Sequence, residues 1–279
     1  MAATAAPRPL AADPRPAIGV LLREWRQARR MSQLDLAHES GVSGRHLGFI
    51  ETGRARPSRE IVARLGDALA LPLREHNALL LAAGYAPNYG ERPLASPPLA
   101  RLSQAIDLIL GHQEPYPAFV ISRHFDVLAA NAAAARLNAF LLDGQVSPHA
   151  NLLHQIFDPL DFRRVIANWP EVAAKFIRQL QDELVVTPSD VRSRRLLDEV
   201  LRYPDVPPAW RLRDLGPEPE PVLTLVFNSR AGPLSFFETI TTFASPRDVT
   251  LDELRIDCAF PADAHTAVVC DRLAAGDLV

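Results

Sequence analysis

The sequence predicts two folded parts in series: an all-α head of five short helices, and a larger α+β domain in which helices cover an antiparallel sheet. Three observations lead there. Through residues 17–84, apolar residues recur at three- and four-residue steps, in short blocks punctuated by Ser and Gly. A stretch rich in Pro and Gly follows, APNYGERPLASPP at 86–98. Beyond it, the runs PVLTLVFNS (221–229) and LSFFETITTFAS (234–245) have the composition of half-buried strands. The boundaries drawn are a disordered leader (1–16), a helical head (17–85), a linker (86–98) and the α+β domain (99–279).

In the head, Ile18, Leu21, Leu22 and Trp25 share one helical face. Ser32 is placed to cap a second helix that stops at Gly41, and Ser43 a third that ends at Gly53. Ile61, Leu65, Ala68 and Leu69 mark a fourth helix, and a Leu- and Ala-rich fifth runs from Pro72 to Gly84. In the second part, 99–112 reads as one helix and PAFVISRHFDVLAA (117–130) as strand with a turn near Arg123–His124. Helices are expected over 131–142, over 161–184 and from Asp190 to about Arg202. The two strands at 221–229 and 234–245 form a hairpin through Arg230–Pro233, and a last strand lies near 255–260.

Composition narrows the function. Hydrophobic residues make up 48% and charged residues 23%, with no apolar run of membrane-spanning length. Cys258 and Cys270 are too far apart for a CxxC pair and read as buried reduced thiols, which places the chain in the cytoplasm with no membrane partner. The net charge of -3 conceals an asymmetry. The first ninety residues carry 12 Arg and no Lys against 8 acidic residues, whereas the remainder carries 18 basic against 25 acidic. A basic head on an acidic body suits a nucleic-acid contact at one end. No GxSxG elbow and no Gly-rich phosphate loop occur, and His149 and His154 lack the spacing of a metal-binding helix, so the chain reads as neither enzyme nor cofactor-binding protein.

The segment SQLDLAHESGVSGRHLGFIETGRARPS (32–58) carries the functional argument. Ala37 is small where two helices would cross, and Gly41 supplies the left-handed residue of the turn. Val42, Leu47 and Ile50 hold the helix that begins at Ser43 against the bundle, leaving its outer face free to enter a major groove. These residues resemble the helix-turn-helix of the phage-repressor-like, xenobiotic-response-element regulators. GRHLGFIETGRARPSREIV and LPLREHNALLLAAGYAP are similar to the MmyB-like subgroup. The resemblance implies phosphate contacts from Gln33 and Ser43, and base-edge positions at Gly44 and Arg45, with Phe49 one turn on. Arg45 is the strongest reader, able to grip guanine bidentately, whereas Gly44 departs from the polar reader many repressors carry. His46 divides evenly between backbone contact and solvent, and Arg54, Arg56 and Arg59 are placed for phosphates. The same pattern implies that Arg26 pairs with Glu51.

PAFVISRHFDVLAANAAA, NWPEVAAKFIRQLQDEL and FETITTFASPRDVTLDELRIDCAFPADAHT resemble that subgroup's PAS-like C-terminal domain, which implies a fatty-acyl class of ligand. Phe119, Phe125, Phe227, Phe237 and Phe243 are the candidate pocket residues, with alternation putting Phe237 and Phe243 on one face and Phe236 on the other. Asn131 reads as a helix cap, and Arg123, His124 and Arg255 as surface residues. The expectation is a transcriptional regulator that binds a double-stranded DNA operator as a homodimer and senses a small apolar ligand. The rival is a repressor whose C-terminal half serves only protein interaction or dimerisation.

Overall fold

A computed structural model describes residues 18–212 and 222–278, so the leader and Pro221, the first residue of the hairpin's leading run, lie outside the described residues. The chain divides between Asn88 and Tyr89 into two compact units.

The first unit holds five helices: α1 (Ile18–Ala28), α2 (Gln33–Ser40), α3 (Gly44–Glu51), α4 (Arg59–Ala68) and α5 (Leu73–Ala82). Their ends follow from local chemistry. Ser32 and Asp35 form a reciprocal capping box at 3.1 and 2.7 Å, and the Ser43 and Ser58 hydroxyls each accept the N–H three residues on. Gly41 takes φ 63° between α2 and α3, a conformation most side chains resist. Leu22, Trp25, Leu36, Leu47, Ile50, Leu65 and Leu79 are buried together as the core. Gly19 brings α1 directly onto the end of α3, where an added Cβ would stand 2.5 Å from the Glu51 carbonyl oxygen.

Most of the stretch read as a linker is built into the second unit. The Gly90 carbonyl accepts the Val249 N–H at 2.8 Å, the Arg92 carbonyl accepts the Thr250 hydroxyl at 2.7 Å, and the Leu94 carbonyl accepts the Ser103 hydroxyl at 3.1 Å. Prolines end a helix and remove N–H donors, but they leave carbonyls free to bond. This segment uses them.

The second unit is an antiparallel five-stranded sheet in the order β2-β1-β5-β4-β3, from β1 (Ala118–Ile121), β2 (Val127–Ala130), β3 (Thr224–Ser229), β4 (Gly232–Thr241) and β5 (Arg255–Pro261). One face packs on α6 (Ala100–His112), through Ile106 and Leu110 against Val120, Ile256 and Cys258. The other face carries the larger core beneath α7 (Ala132–Leu141), α8 (Leu152–Phe157), α9 (Trp169–Val186), α10 (Val191–Val200) and, beyond a single turn α11 (Val249–Asp252), α12 (Ala264–Ala275). Asn131 caps α7 as read from sequence: its Oδ1 accepts from Ala134 and Ala118, while Nδ2 donates to the Leu110 and Tyr116 carbonyls.

Two sequence expectations shift. The helix read as 161–184 begins only at Trp169, because Asn168 bonds β3 instead, donating to the Thr224 carbonyl and accepting from the Val226 N–H. Arg123, read as surface, is buried at 8% exposure. Its guanidinium meets Asp190 at 3.1 Å, Glu253 at 3.3 Å and the Thr187 hydroxyl at 2.7 Å, and Arg255 meets Glu183 at 2.7 Å. Burial alone would raise the Asp190 carboxyl, but hydrogen bonds from His124 and Ser193 and the Arg123 charge hold it well below the usual range.

Candidate functional site

Helix α3, the candidate recognition helix, is fastened from behind. The Glu51 side chain is fully buried and accepts two hydrogen bonds from Arg26, at 2.8 and 3.1 Å, and one from the Gln33 amide at 2.7 Å. The pairing expected between Arg26 and Glu51 is therefore present, in two-pronged form. Burial would raise this carboxyl; the bonds from Arg26 and Gln33, with the charges of Arg26 and Arg23, outweigh it and hold the group ionised.

In front, Ser43, Gly44 and Arg45 are exposed at the start of α3, with His46 and Phe49 half-buried one turn along. The Arg45 guanidinium lies 5.5 Å from the centre of the Phe49 ring. Nothing stands within 4 Å of a Cβ added at Gly44, so that position is open space. The flanking groups are less uniform than their sequence positions imply. Gln33 already gives one N–H to Glu51. Arg56 donates to the Ala83 and Gly84 carbonyls and lies over the Tyr85 ring, closing the end of α5. Arg59 reaches the Asn88 side chain at 3.4 Å, and Arg54 is exposed. Of these four, Arg56 is the most firmly engaged within the head.

The second unit contains a cavity of about 120 Å³ between the sheet and the helices α7–α9. Phe119, Phe176, Phe227 and Phe236 line it, with Leu137, Ile156, Phe162 and Leu225 completing the apolar wall. Two of the five candidate pocket residues, Phe119 and Phe227, thus reach it. Phe125 is buried edge-on against Phe176 and does not line it. Phe237 and Phe243 are corrected: they fall on the opposite face, where Phe237 stacks on Phe260 at 5.5 Å and Phe243 packs in the α6 layer. The alternation along β4 is as read, but Phe236 is the member that faces the cavity. An apolar cavity of about 150 Å³ takes up benzene; this one is somewhat smaller, so as it stands it has room for an apolar ligand portion no larger than that.

One edge of the cavity is polar. Glu238 follows Phe236 on the same face of β4 and meets Lys175 of α9 at 3.4 Å. Asp257 of β5 lies diagonal to Glu238 on that face, paired with Phe119 on one side and Ile240 on the other. It is 5% exposed, and its Oδ1 has no hydrogen-bond partner. Burial, with the Glu238 charge, pushes the Asp257 carboxyl up to about 8 against the partial relief of Lys175. The folded protein therefore holds a proton here that the unfolded chain releases above about pH 4. The contribution of this group to stability is complete below that pH and is lost progressively as pH rises toward 8. Asp257→Asn should melt above the parent at pH 8 and converge with it near pH 4 by scanning calorimetry. A difference that stays constant with pH would refute this.

Sequence reasoning missed Phe236, Glu238, Lys175 and Asp257. The available signal was a pair of acids in otherwise apolar strands. No group of three or more His, Cys, Asp or Glu side chains is placed for a metal ion among the described residues. His149 instead meets Asp158 at 2.8 Å. Also among them, no helix is long and apolar enough to cross a membrane.

Comparison with known proteins agrees with this division. Residues 17–79 match a family model described as a helix-turn-helix domain. Uncharacterized HTH-type transcriptional regulators of Mycobacterium bovis and Mycobacterium tuberculosis are 35% identical over 69 residues, 25% of this chain and 27% of theirs. The match thus spans about a quarter of those relatives' length. A solved RNA-binding light-oxygen-voltage receptor aligns over 93% of this chain and 62% of its own at 14% identity, with a TM-score of 0.24, a value at which no common fold is inferred. Residues 102–273, which hold the whole sheet, the cavity and all but the outer ends of α6 and α12, match the model described as MmyB-like transcription regulator ligand binding domain. The chain belongs to that family of regulators, with a helix-turn-helix DNA-binding domain ahead of its ligand-binding domain.

Proposed function

We propose that this regulator acts in the cytoplasm, binds a specific double-stranded operator as a homodimer, and changes its operator affinity when a small, mostly apolar ligand enters the cavity. The observation that carries the DNA half is the exposed N-terminal turn of α3, held from behind by the buried Arg26–Glu51 pair. In this reading Arg45 grips guanine, Phe49 meets a thymine methyl, Gly44 leaves its base pair without a side-chain reader, and His46 lies beside the backbone. Gln33, Ser43, Arg54, Arg56 and Arg59 contact phosphates. A dimer supplies two half-sites a helical turn apart, since one eight-residue helix covers few base pairs.

With an operator selected from random duplexes, Arg45→Ala should cost about 1–3 kcal/mol and relax preference at one base pair. Arg54→Ala should weaken every sequence alike and make the salt slope shallower by about one. Equal behaviour of Arg45→Ala and parent on operator and random DNA would remove Arg45 as the reader.

The Phe-lined cavity supports the ligand half, and fatty-acyl chains are the class to try first. Ligand and operator affect one another only if the ligand distinguishes the DNA-competent state from the other. A coupling of about 1–3 kcal/mol would move operator affinity roughly 5- to 150-fold. Operator titrations with and without medium-chain fatty acids test it. Binding that leaves operator affinity unmoved makes the domain a structural lipid holder. The absence of any binding favours the interaction-module reading.

A further inference from the structure

The mutual geometry of Arg45 and Phe49 selects the base step they read, an inference that rests on the proposal that both meet base edges. They stand four residues apart on one face of α3, about 6 Å apart along its axis. DNA rises about 3.4 Å per base pair, so independent side chains at that spacing could serve base pairs one or two steps apart. These two are not independent. The Arg45 guanidinium carbon lies 5.5 Å from the centre of the Phe49 ring, a cation held on an aromatic face. Phe49 is half-buried, which anchors the ring on the helix, whereas Arg45 is exposed and reaches outward from it. Gly44 adds no side chain of its own beside them, and a Cβ there would meet nothing within 4 Å.

We propose that α3 reads a guanine and a thymine in directly adjacent base pairs as one unit, with Arg45 on the guanine and Phe49 on the thymine methyl. A guanidinium that binds guanine O6 and N7 bidentately lies in the plane of that base. With its contact to Arg45 kept, the Phe49 ring centre stands at most 5.5 Å above or below this plane, short of the roughly 6.8 Å of a second step. The ring therefore sits at the level of the next base pair, where thymine alone of the four bases presents a C5 methyl to the major groove. Methyl, ring and guanidinium then form a continuous stack that keeps water from the two arginine–guanine hydrogen bonds. What is read beside the guanine is the methyl group itself. 5-Methylcytosine carries the same group at the same carbon and replaces thymine there; cytosine and uracil do not.

The test takes an operator selected from random duplexes with the full chain and replaces each thymine in turn by deoxyuridine. The guanine is located as the base pair at which Arg45→Ala loses its preference. Deoxyuridine in the pair next to that guanine is expected to weaken binding about fourfold per half-site, the worth of one methyl group removed from water. At the same position 5-methylcytosine should bind better than cytosine by a similar factor. Phe49→Ala, checked for an intact melting transition, should bind the thymine and deoxyuridine duplexes alike, and the scan with the parent protein stands even where that variant does not fold. Methyl sensitivity two or more steps from the guanine, its absence at every position, or its survival in Phe49→Ala would overturn the pairing while leaving Arg45 as the guanine reader. If Arg45→Ala alters preference at no base pair, the assignment of Arg45 falls, and the pairing falls with it.

Discussion

Replacing Glu51 with alanine is expected to cost the DNA-binding head about 3–5 kcal/mol, a large share of the 5–15 kcal/mol typical of a whole domain. The loss is large because the carboxylate is fully buried and answers Arg26 twice and Gln33 once. Arg26 is itself only 12% exposed, so its charge would remain where water hardly reaches it. Arg26→Ala should hurt for the same reason, and the double variant should be less damaged than the sum of the two. Scanning calorimetry of the full chain reads this as a downward shift of the head's transition alone. Acid supplies a second readout. The Glu51 carboxyl is held below its usual range, so its contribution is complete above about pH 4.3 and is lost as pH falls through the lower folded value. A Glu51→Ala head that melts with the parent, and follows the same acid limb, would show that the pair is not what holds α3.

Gly19→Ala should be nearly as harmful, through shape instead of charge. The new methyl would lie 2.5 Å from the Glu51 carbonyl oxygen and 2.7 Å from that of Ile50, and a backbone cannot swing aside as a side chain can. Forced overpacking of this kind costs about 1–3 kcal/mol and sometimes more. Here it would also push the end of α3 away from α1, so operator affinity should fall by more than the stability loss alone explains. Gly44→Ala is the control, because the added methyl meets nothing within 4 Å and alanine is the better helix former. It should leave the melt unchanged or slightly raised. Equal melting of the two variants would mean that α1 and α3 have slack between them.

The head was readable because its information is local. Ser32, Ser43 and Gly41 mark helix ends through their own side chains or backbone preference, and the three-and-four spacing of Leu21, Leu22 and Trp25 declares one buried face. The second domain hides more. Both faces of its sheet are covered, one by α6 and the other by α7–α10 and α12, so Phe236 and Phe237 each find apolar neighbours and alternation cannot say which faces the cavity. The α12 helix went unread because AHTAVVCDRLAA mixes small and β-branched residues without a clear apolar stripe. The engagements of Gln33 with Glu51 and of Arg56 with the end of α5 join residues 18 and 27 positions apart, and no spacing rule reaches that far.

Both cysteines of the chain lie in the second domain, Cys258 on β5 and Cys270 on α12, and both are buried and unbridged. Burial, with Asp257 beside one and Asp271 beside the other, raises both thiols, Cys270 to about 11. Attack on disulfides and maleimides needs the thiolate, so at neutral pH neither sulfur is a ready nucleophile. A cysteine introduced at an exposed position outside both sites, Glu39 in the first unit or Ala135 in the second, would then be the one fast-reacting sulfhydryl on a background left otherwise native. A spin label or fluorophore could be attached at either place without first emptying the core of its own sulfur.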